Sequence, residues 1–454
     1  MSWDRIKERL DKLLQTNRHG ELRGALMMLN DVDIAGYLDT LEADKVLLVF
    51  RLLPKDVSAD VFSYMDDDQR AKLMESISDQ EISRLVDEMF VDDAVDFLEE
   101  LPAGVVKRIL AACQPEKREL INQFLRYPDY SAGSIMTIEF CEFHQGITVR
   151  EAMDEIRRTA LDKETLNTLY VIDMQRKLIG TIPLRKLILA KEDTVIDNLM
   201  NTNFISVTTT DDQEMVADTV RKYDLICIPV VDKENRLVGI ITVDDVVDVI
   251  EEENTEDIET MAALLPSEDE YLKTSVLVLA KNRIPWLLFL MLSAIITGMI
   301  ITRFEGLLMD SGAIGVALTA CIPMLMGTGG NCGSQASTLV IRGLALGELS
   351  MGDIVKILWK EIRVAVMVGA VLSIINFARL LFLSHLSITV SLVVSASMFI
   401  TVLLAKSIGC TLPIMAKRIN LDPALMASPL ITSIMDACSL LILFTIATNV
   451  LSFA

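Results

Sequence analysis

Five long apolar segments in the second part of the chain constrain its fold more than any other feature. They cover roughly residues 284–301, 313–340, 362–383, 388–412 and 424–453. Crossing about 30 Å of hydrocarbon takes about 20 helical residues, and apolar runs of this length rarely occur as core helices of soluble proteins. The sequence therefore predicts an α-helical membrane domain with five spans.

The distribution of Lys and Arg around these spans predicts their orientation. Basic residues precede the first span, separate the second from the third, and separate the fourth from the fifth: Lys273, Lys281, Arg283, Arg342, Lys356, Lys360, Arg363, Lys417 and Arg418. The opposite side carries Arg303 and Arg379. Because basic loops stay in the cytosol, we expect a cytosolic N-terminal half and an outside C-terminus. The first 14 residues are charged and lack the apolar core of a signal peptide.

Charge is divided unequally between the two halves of the chain. Residues 1–270 hold 30 basic and 57 acidic residues, whereas residues 271–454 hold 12 and 7. An acidic surface repels nucleic acid and attracts cations, so no nucleic-acid partner is expected. The 7 cysteines form no CxxC pair, which argues against a disulfide framework or a zinc site.

The acidic half contains an internal repeat with an offset of 59 residues. Residues 169–188 read LYVIDMQRKLIGTIPLRKLI, and residues 228–247 read IPVVDKENRLVGIITVDDVV. Each copy reads as a strand, a polar turn, a second strand and the start of a helix. Ile-Met-Thr at 135–137 and Leu-Met-Asn at 199–201 precede the two copies. The pattern resembles a tandem pair of CBS domains.

The flanking regions read as helical. Residues 1–130 carry Leu, Met, Asp and Glu at spacings of three and four, interrupted by Pro54, Pro102 and Pro115, which is typical of short amphipathic helices. We expect a solenoid-like stack of such helices. Residues 253–282 read as one connecting helix that leads directly into the first span.

A glycine-rich stretch lies within the second span. Residues 323–335 read PMLMGTGGNCGSQ. Pro and clustered Gly in a membrane helix release backbone groups and let neighbouring helices approach closely. Asn331 and Gln335 are four residues apart and therefore share one helical face. A kink that serves packing alone is the alternative interpretation.

Asp436 is an acidic residue inside the fifth predicted span. It lies about 12 residues into that span, or roughly 18 Å along a helix. A carboxylate at such depth costs several kcal/mol unless it faces water, a cation or a partner. A cation site on a permeation path would satisfy it. The alternatives are a protonated carboxyl or an ion pair with Lys406, which would otherwise extend toward the cytosolic interface.

The chemistry of the spans favours a hard cation. Carboxylate and amide oxygens suit Mg²⁺, which keeps several of its waters and needs few protein ligands. The predicted spans contain no His, and the chain has no Cys/His cluster, whereas a softer metal would normally use such ligands. No P-loop or hydrolase motif is evident, so we expect a protein that is not an enzyme.

Together these features resemble the MgtE family of magnesium transporters. The family's P-x(3)-G-x-x-G-N-x-G-x-Q pattern matches residues 323–335 at every fixed position. The resemblance implies an all-α acidic N domain (1–130), an α/β tandem CBS pair (131–252), a connecting helix (253–282) and a five-span membrane domain (283–454). It also implies a homodimer in contact with lipid in a bacterial-type inner (plasma) membrane.

The resemblance also implies roles for individual residues. The ion path would include Asp436, Asn331, Gly327, Gly330, Gln335, Asp422 and Pro423. Regulatory Mg²⁺ would bind Asp92, Asp96, Asp212, Glu214, Asp224, Asp245, Asp248, Glu253, Glu256 and Asp257, with Asp93 as a substitute for Asp92. Several of these carboxylates stand three or four residues apart, a like-charge spacing that bound cations would relieve. A solvated acidic face is the alternative.

The implied function is Mg²⁺-selective passive uptake through a channel or transporter that cytosolic Mg²⁺ closes. One alternative is a conduit for Co²⁺, Mn²⁺ or divalent cations in general. A second alternative is a membrane-anchored CBS nucleotide sensor that transports nothing. CBS pairs often bind adenine nucleotides, and Thr242 with Asp245 suits a ribose contact. The first copy has Pro183 and Lys186 at those places, so we expect at most one ATP-type site.

Overall fold

The computed structural model describes residues 3–99, 101, 103–267, 271–272, 274–310 and 312–451. Pro102, Lys273 and the end of the fifth predicted span at 452–453 lie outside the described residues. The chain divides into two compact units, Met1–Ile250 and Glu251–Ala454.

The first unit begins with short helices. They are α1 (Trp3–Gln15), α2 (His19–Leu26), α3 (Asp31–Leu38), α4 (Ala43–Phe50), α5 (Lys55–Ser63), α6 (Asp67–Ser76), α7 (Asp79–Glu88), α8 (Val91–Glu99), α9 (Ala103–Ala112) and α10 (Pro115–Phe124). Contacts join α3 to α5, α5 to α7 and α7 to α9, and likewise α4 to α6 and α8 to α10. This alternation produces the layered stack that the sequence predicts. Apolar side chains fill it, and the rings of Phe62 and Phe97 pack edge to face at 5.0 Å.

The rest of the first unit contains two small sheets of identical design. Their elements are β1 (Glu142–His144), α11 (Val149–Thr159), β2 (Thr168–Ile172), β3 (Leu178–Pro183), α12 (Leu184–Leu189), β4 (Val207–Thr208), α13 (Gln213–Tyr223), β5 (Cys227–Val231), β6 (Leu237–Thr242) and α14 (Val243–Met261). Each sheet has a parallel first pair and an antiparallel second pair, in the orders β1-β2-β3 and β4-β5-β6. The internal repeat is therefore confirmed as a CBS pair.

The recurring Asp residues of the repeat shape its hairpin turns. Asp173 Oδ1 accepts hydrogen bonds from the backbone N–H groups of residues 175 and 177, and Asp232 Oδ1 accepts the equivalent pair from residues 234 and 236. These bonds support left-handed residues at Arg176 (φ 64°) and Asn235 (φ 61°). An Asp that bonds its own following backbone is a turn former, which explains why this residue type recurs in both copies.

The recurring Gly and Met residues hold the two copies together. A Cβ on Gly239 would lie 2.7 Å from the Met136 sulfur, and a Cβ on Gly180 would lie 2.6 Å from the Met200 sulfur. Thr137 and Asn201 form the corresponding backbone bridges to β6 and β3. The segment before each copy thus packs on the β-hairpin of the other copy, so close approach explains both glycines.

The connecting segment differs from the single predicted helix. Helix α14 continues from the second CBS copy to Met261, and α15 starts at Val276. Between them, Ala263 adopts a left-handed φ of 58°, and Leu264 N–H bonds the carbonyl of Glu259. A left-handed residue followed by such a backward bond is a helix C-terminal motif. This turn, and Pro266 after it, end the helix where amphipathic composition alone suggested continuity.

The second unit is dominated by long apolar helices. They are α15 (Val276–Arg303), α16 (Glu305–Asp310), α17 (Ala313–Ala345), α18 (Ile354–Phe382), α19 (Ile388–Arg418) and α20 (Ser428–Val450), with 3₁₀ turns at Met351–Asp353 and Pro423–Met426. Of these, α15, α17, α18, α19 and α20 are long and apolar enough to cross a membrane, as predicted. Helix α19 contacts α17, α18 and α20, whereas α15 packs on α20.

Candidate cation path and acidic clusters

Helix α17 has two chemically distinct faces. Gly327, Asn331 and Gln335 recur every four residues and are exposed in the single chain. Gly329 lies on the opposite face and Gly330 at the flank, and both are buried. The predicted ion-path residues of this stretch therefore fall into two groups. Gly330 packs against a neighbouring helix, whereas Gly327, Asn331 and Gln335 form an open face.

The buried glycines bring α17 against two neighbouring helices. A Cβ on Gly330 would lie 2.7 Å from Thr432 of α20, and a Cβ on Gly333 would lie 2.6 Å from Ile431. On α19, a Cβ at Gly409 would overlap the carbonyl oxygen of Gly333. Small residues that permit such backbone approach are typical of membrane helix interfaces.

Asp436 lies on α20, one helical turn beyond Thr432. Helix α20 begins at Ser428 and not at residue 424, because Pro423–Met426 forms a separate 3₁₀ turn. Asp436 is therefore about 12 Å into α20 at 1.5 Å per residue, while the apolar span that includes the 3₁₀ turn starts at Pro423. Among the described residues its half-buried carboxylate has no hydrogen-bond or ion-pair partner.

Hydroxyl groups connect the start of α20 to α17. Ser334 Oγ donates to Ser428 Oγ at 2.9 Å, and Ser337 Oγ donates to the carbonyl of Met426 at 2.8 Å. These bonds fix the 3₁₀ turn and the first turn of α20 beside the glycine-rich stretch. Asp422, predicted on the ion path, caps this turn by accepting a bond from Ala424 N–H at 2.8 Å. Pro423 follows as the first residue of the turn, a position that suits proline.

Lys406 pairs with a residue that the sequence analysis did not predict. Its Nζ lies 3.5 Å from Glu361 Oε2 of α18, and the two side chains are 6% and 13% exposed. The ammonium group therefore neither extends to the interface nor pairs with Asp436. Glu361 stands at the edge of the third predicted span, and an isolated Lys in the fourth span was the signal that a buried acid should exist.

Several carboxylates of the first unit converge around Asp92 of α8. Burial, followed by the charges of Asp93 and Asp245, holds the pKa of Asp92 well above its usual range. One Asp92 oxygen is buried without a hydrogen-bond partner among the described residues. Burial, with Asp93 among the charged neighbours, raises the pKa of Asp245 to about 6, and burial with Asp245 raises that of Glu164 to about 7.

Both Asp92 and Asp93 belong to this first cluster. Burial also raises the pKa of Asp93, with Asp60 and Glu139 as acidic neighbours and Lys117 as a basic one. The pKa of Lys117 is lowered because that side chain is itself buried. The α8 pair and the acids of the CBS region thus face each other, and a bound cation would relieve their repulsion.

A second acidic cluster surrounds the end of α14. Burial raises the pKa of Asp257 to about 6, and the acidic groups nearest to it are Asp422, Glu253 and Glu256. The structure therefore brings three predicted regulatory residues together with Asp422, the residue that caps the turn before α20. Asp422 was predicted on the ion path, whereas its surroundings join it to this cluster.

The remaining predicted regulatory residues are more dispersed. Asp96 and Asp248 are exposed. Asp212 caps α13 by accepting a bond from Glu214 N–H at 2.9 Å, and Asp224 ends the same helix in a left-handed conformation. The two ends of this 11-residue helix are about 16 Å apart. One chain therefore does not bring Asp212, Glu214 and Asp224 to a single site.

The two predicted nucleotide-binding residues bond to each other. Thr242 Oγ1 donates to Asp245 Oδ2 at 2.6 Å, which caps the start of α14. Asp244, Glu164 and Asp93 add further negative charge around Asp245. These carboxylates disfavour a phosphate group at this place. Across the described ranges, no group of three or more His, Cys, Asp or Glu side chains is arranged to enclose a metal ion.

The fold and the site together define a class. A helical stack and a CBS pair, both rich in clustered carboxylates, precede a bundle of membrane-type helices. Within the bundle, an acid without a partner among the described residues lies beside a glycine-rich helix contact. This is the architecture of a membrane transporter for divalent cations with a CBS regulatory region. Residues 322–446 match the family described as divalent cation transporter, residues 29–130 match the MgtE intracellular N domain, and residues 196–252 match the CBS domain. The chain belongs to the MgtE family of magnesium transporters.

Relatives in other organisms are similar in sequence to this chain along almost its whole length. It is 34% identical to the magnesium transporter MgtE of Thermus thermophilus over 448 residues, which is 98% of each chain. It is 32% identical to that of Bacillus subtilis, over 99% of this chain and 98% of the relative. Among solved structures, the soluble part of a magnesium transporter matches with a TM-score of 0.54 and 32% identity, over 56% of this chain and 99% of that one.

A second solved structure matches the same region. It is the cytosolic domain of the Mg²⁺ channel MgtE in complex with ATP, with a TM-score of 0.51 and 33% identity, and it covers 54% of this chain and 99% of that one. The match supports the predicted order of a helical domain followed by a CBS pair.

Proposed function

We propose that this protein is a conduit for passive Mg²⁺ uptake across the plasma membrane and that cytosolic Mg²⁺ closes it. The observation that carries the proposal is the Asp436 carboxylate, half-buried in an apolar helix and unpaired among the described residues. A carboxylate at membrane depth has to face water, a cation or a partner. A hydrated divalent cation supplies both water and charge, and relatives named magnesium transporters support Mg²⁺.

The path would run along the polar face of α17 and the Asp436 face of α20. Asn331 and Gln335 present amide groups that bind the waters of a hydrated ion, and Mg²⁺ keeps several of those waters when it binds. One chain leaves this α17 face exposed. A homodimer in which two such faces meet would enclose the path and place two carboxylates around one ion.

The membrane potential would supply the driving force. An elementary charge gains about 2.3 kcal/mol per 100 mV, so a divalent cation moving inward gains about 4.6 kcal/mol. The basic residues between the spans favour a cytosolic N-terminal half and an outside C-terminus. With that orientation, uptake needs neither ATP hydrolysis nor any enzymatic step.

The two acidic clusters would form the gate. Repulsion within each cluster opposes the compact arrangement, and bound Mg²⁺ removes that repulsion. A ligand shifts a conformational equilibrium only if it binds one state better, and closely spaced carboxylates meet this condition for the compact, closed state. Because α14 lies between the CBS strands and α15 in the sequence, compaction would reach the first span through the chain itself.

Mg²⁺ flux into liposomes that contain the purified protein tests the conduit. We expect uptake when Mg²⁺ at the cytosolic face is low and little uptake when it is high. Co²⁺ or Mn²⁺ entering as fast as Mg²⁺ would instead indicate a general divalent-cation conduit. If no divalent cation entered, the transport proposal would fail and a CBS sensor without transport would remain.

Neutralising part of the gate should remove its closure. We expect the triple variant Asp245→Asn, Asp248→Asn and Glu253→Gln to keep wild-type flux at low cytosolic Mg²⁺. At high Mg²⁺ it should stay open, because neutral amides bind a hard cation weakly. A control with three exposed carboxylates replaced (Glu155→Gln, Asp162→Asn, Asp193→Asn) should close normally. Normal closure of the first variant would contradict the gate.

The raised pKa values predict how Mg²⁺ and protons compete. A carboxyl whose pKa is higher in the folded state binds protons more readily when folded, so stability rises as pH falls through the folded value and levels off below the unfolded one. For Glu164 the relevant window runs from about 7 down to the ordinary value of 4.5. Without Mg²⁺, we therefore expect the unfolding temperature of the full chain to rise between pH 8 and pH 5.5.

Added Mg²⁺ should reverse this dependence of the unfolding temperature on pH. At pH 8 the clustered carboxylates are ionised and Mg²⁺ should raise the unfolding temperature by several degrees, where ~1 kcal/mol corresponds to about 2–4 °C. At pH 5.5 protons should occupy Asp245 and Glu164, so the same Mg²⁺ should have a smaller effect. Scanning fluorimetry in detergent would measure both, and an Mg²⁺ effect independent of pH would contradict the cluster as the binding site.

We also propose that the CBS pair binds an adenine nucleotide. The support is the related cytosolic domain described as a complex with ATP. The acids around Asp245 disfavour phosphates near Thr242, so any contact there would be limited to the ribose. Calorimetric titration of ATP into the full-length protein tests the proposal, and the absence of binding heat would remove it.

A further inference from the structure

The Glu361–Lys406 ion pair joins α18 and α19 inside the membrane domain. Its side chains are 13% and 6% exposed. Little of either side chain therefore reaches solvent. The proposed conduction and gating steps use neither residue.

The turn of α19 that carries Lys406 also contacts α17. Lys406 follows Ala405, whose carbonyl oxygen would lie 3.3 Å from a Cβ on Gly333, and it precedes Gly409, where a Cβ would overlap the Gly333 carbonyl. Ala405 and Gly409 of one α19 turn therefore lie close to Gly333, while the Lys406 ammonium group reaches α18. A shift of α19 along its axis would disturb both contacts at once.

Stability alone does not account for such a pair. The cost of removing two charges from water can equal or exceed their attraction, and apolar residues of similar volume often replace a buried pair without loss. What a pair adds is a preferred register, since the ammonium and the carboxylate attract each other most strongly in the register that brings them closest. Packing at Gly333 leaves little tolerance for another register, because a backbone contact cannot be relieved by a side-chain rotation.

We propose that Glu361 and Lys406 are positioning residues for the cation path. Their ion pair holds α19 in register against Gly333 and so fixes the α17 face that carries Asn331 and Gln335. The inference rests on the proposed function, because discrimination between Mg²⁺ and larger divalent cations is the property that this register would set. Neither side chain contacts the ion.

The deciding variant replaces both charges, Glu361→Gln with Lys406→Met. It leaves no unpaired charge, so we expect a folded, monodisperse protein. Its Mg²⁺ flux relative to Ca²⁺ flux in liposomes should fall by about tenfold, as expected when a small displacement misplaces groups that must be held accurately. The exchanged pair, Glu361→Lys with Lys406→Glu, should recover most of the wild-type ratio. The Asp353–Lys356 pair at the start of α18, whose side chains are 28% and 83% exposed, provides a control, and replacing it with Asn and Met should leave the ratio unchanged.

Alkylation of Cys332 gives a readout that does not depend on transport. Cys332 is buried in a cluster with Val402 and Ala405, so its protection reports the position of α19. In a chain with Cys332 as its single cysteine, the double-neutral substitution should speed modification by a membrane-permeant maleimide, and the exchanged pair should restore protection. Failure of wild-type flux alone would count against the proposed function, while this readout would still test the register.

Three results would overturn the inference. A double-neutral protein with the wild-type ion ratio and wild-type Cys332 protection would reduce the pair to mutual neutralisation of charge. A double-neutral protein that does not fold would make the pair a folding requirement. An exchanged pair that behaves like the double-neutral variant in both readouts would show that the attraction itself does not set the register.

Discussion

Replacing Asp436 with Asn should abolish Mg²⁺ flux and leave the protein folded. Asn keeps the size of the side chain and removes the charge that would hold a divalent cation in the path. We expect flux to fall by at least about 100-fold, which corresponds to ~3 kcal/mol of lost interaction with the ion. Because the carboxylate is half-buried and has no partner among the described residues, removing its charge should not destabilise the helix bundle.

The measurement is Mg²⁺ uptake into liposomes, with elution profile and unfolding temperature recorded for the same preparations. Glu348→Gln makes the same chemical change at an exposed residue between α17 and α18 and should keep wild-type flux. Uptake by the Asp436→Asn protein at the wild-type rate would remove Asp436 from the path. Loss of uptake together with loss of the folded protein would assign Asp436 a structural role instead.

Gly409→Ala should lower the stability of the membrane domain more than an added methyl group at any other glycine described above. The new Cβ would overlap the carbonyl oxygen of Gly333, and backbone on both sides of the contact cannot yield by changing rotamer. Overpacking of a tight interior costs about 1–3 kcal/mol and occasionally more, and we expect the upper end of this range. The folded fraction that remains should conduct poorly, because α17 would be displaced.

Gly298→Ala is the matched control. Gly298 lies in the C-terminal part of α15 with no atom of another element within 4 Å of an added Cβ, so the substitution should be neutral or stabilise the helix by up to about 1 kcal/mol. Thermal loss of the monodisperse elution peak in detergent would measure both variants. If Gly409→Ala protein unfolded at the wild-type temperature, the contact between α17 and α19 would have to be looser than the structure describes.

The local sequence pattern was sufficient to predict much of the fold. Apolar length predicted the five membrane helices, and a period of 59 residues predicted the two CBS sheets with their Asp turns and glycines. The same pattern failed at residues 253–282, where helical composition continued but a left-handed Ala263 ends α14. It predicted the start of the last span, which runs from Pro423 to Val450, but not its division into a 3₁₀ turn and α20.

The partners of the charged residues required the tertiary structure. Lys406 was evident as a lone charge in an apolar segment, yet Glu361 lies 45 residues away, and no spacing rule joins two residues on different helices. The same reason applies to Asp92, Asp245 and Glu164, which come together only when the helical stack folds against the CBS pair.

The sequence by itself determined which segments enter the membrane, which segments repeat and which residue types can bind a hard cation, because these properties depend on local composition and periodicity. Tertiary structure decided which glycines serve packing and which face of α17 remains open. It also decided that Lys406 pairs with Glu361, while Asp436 has no partner in the part of the chain that the structure describes. Burial and charge pairing are properties of neighbours in space, and those neighbours are set by how the helices pack.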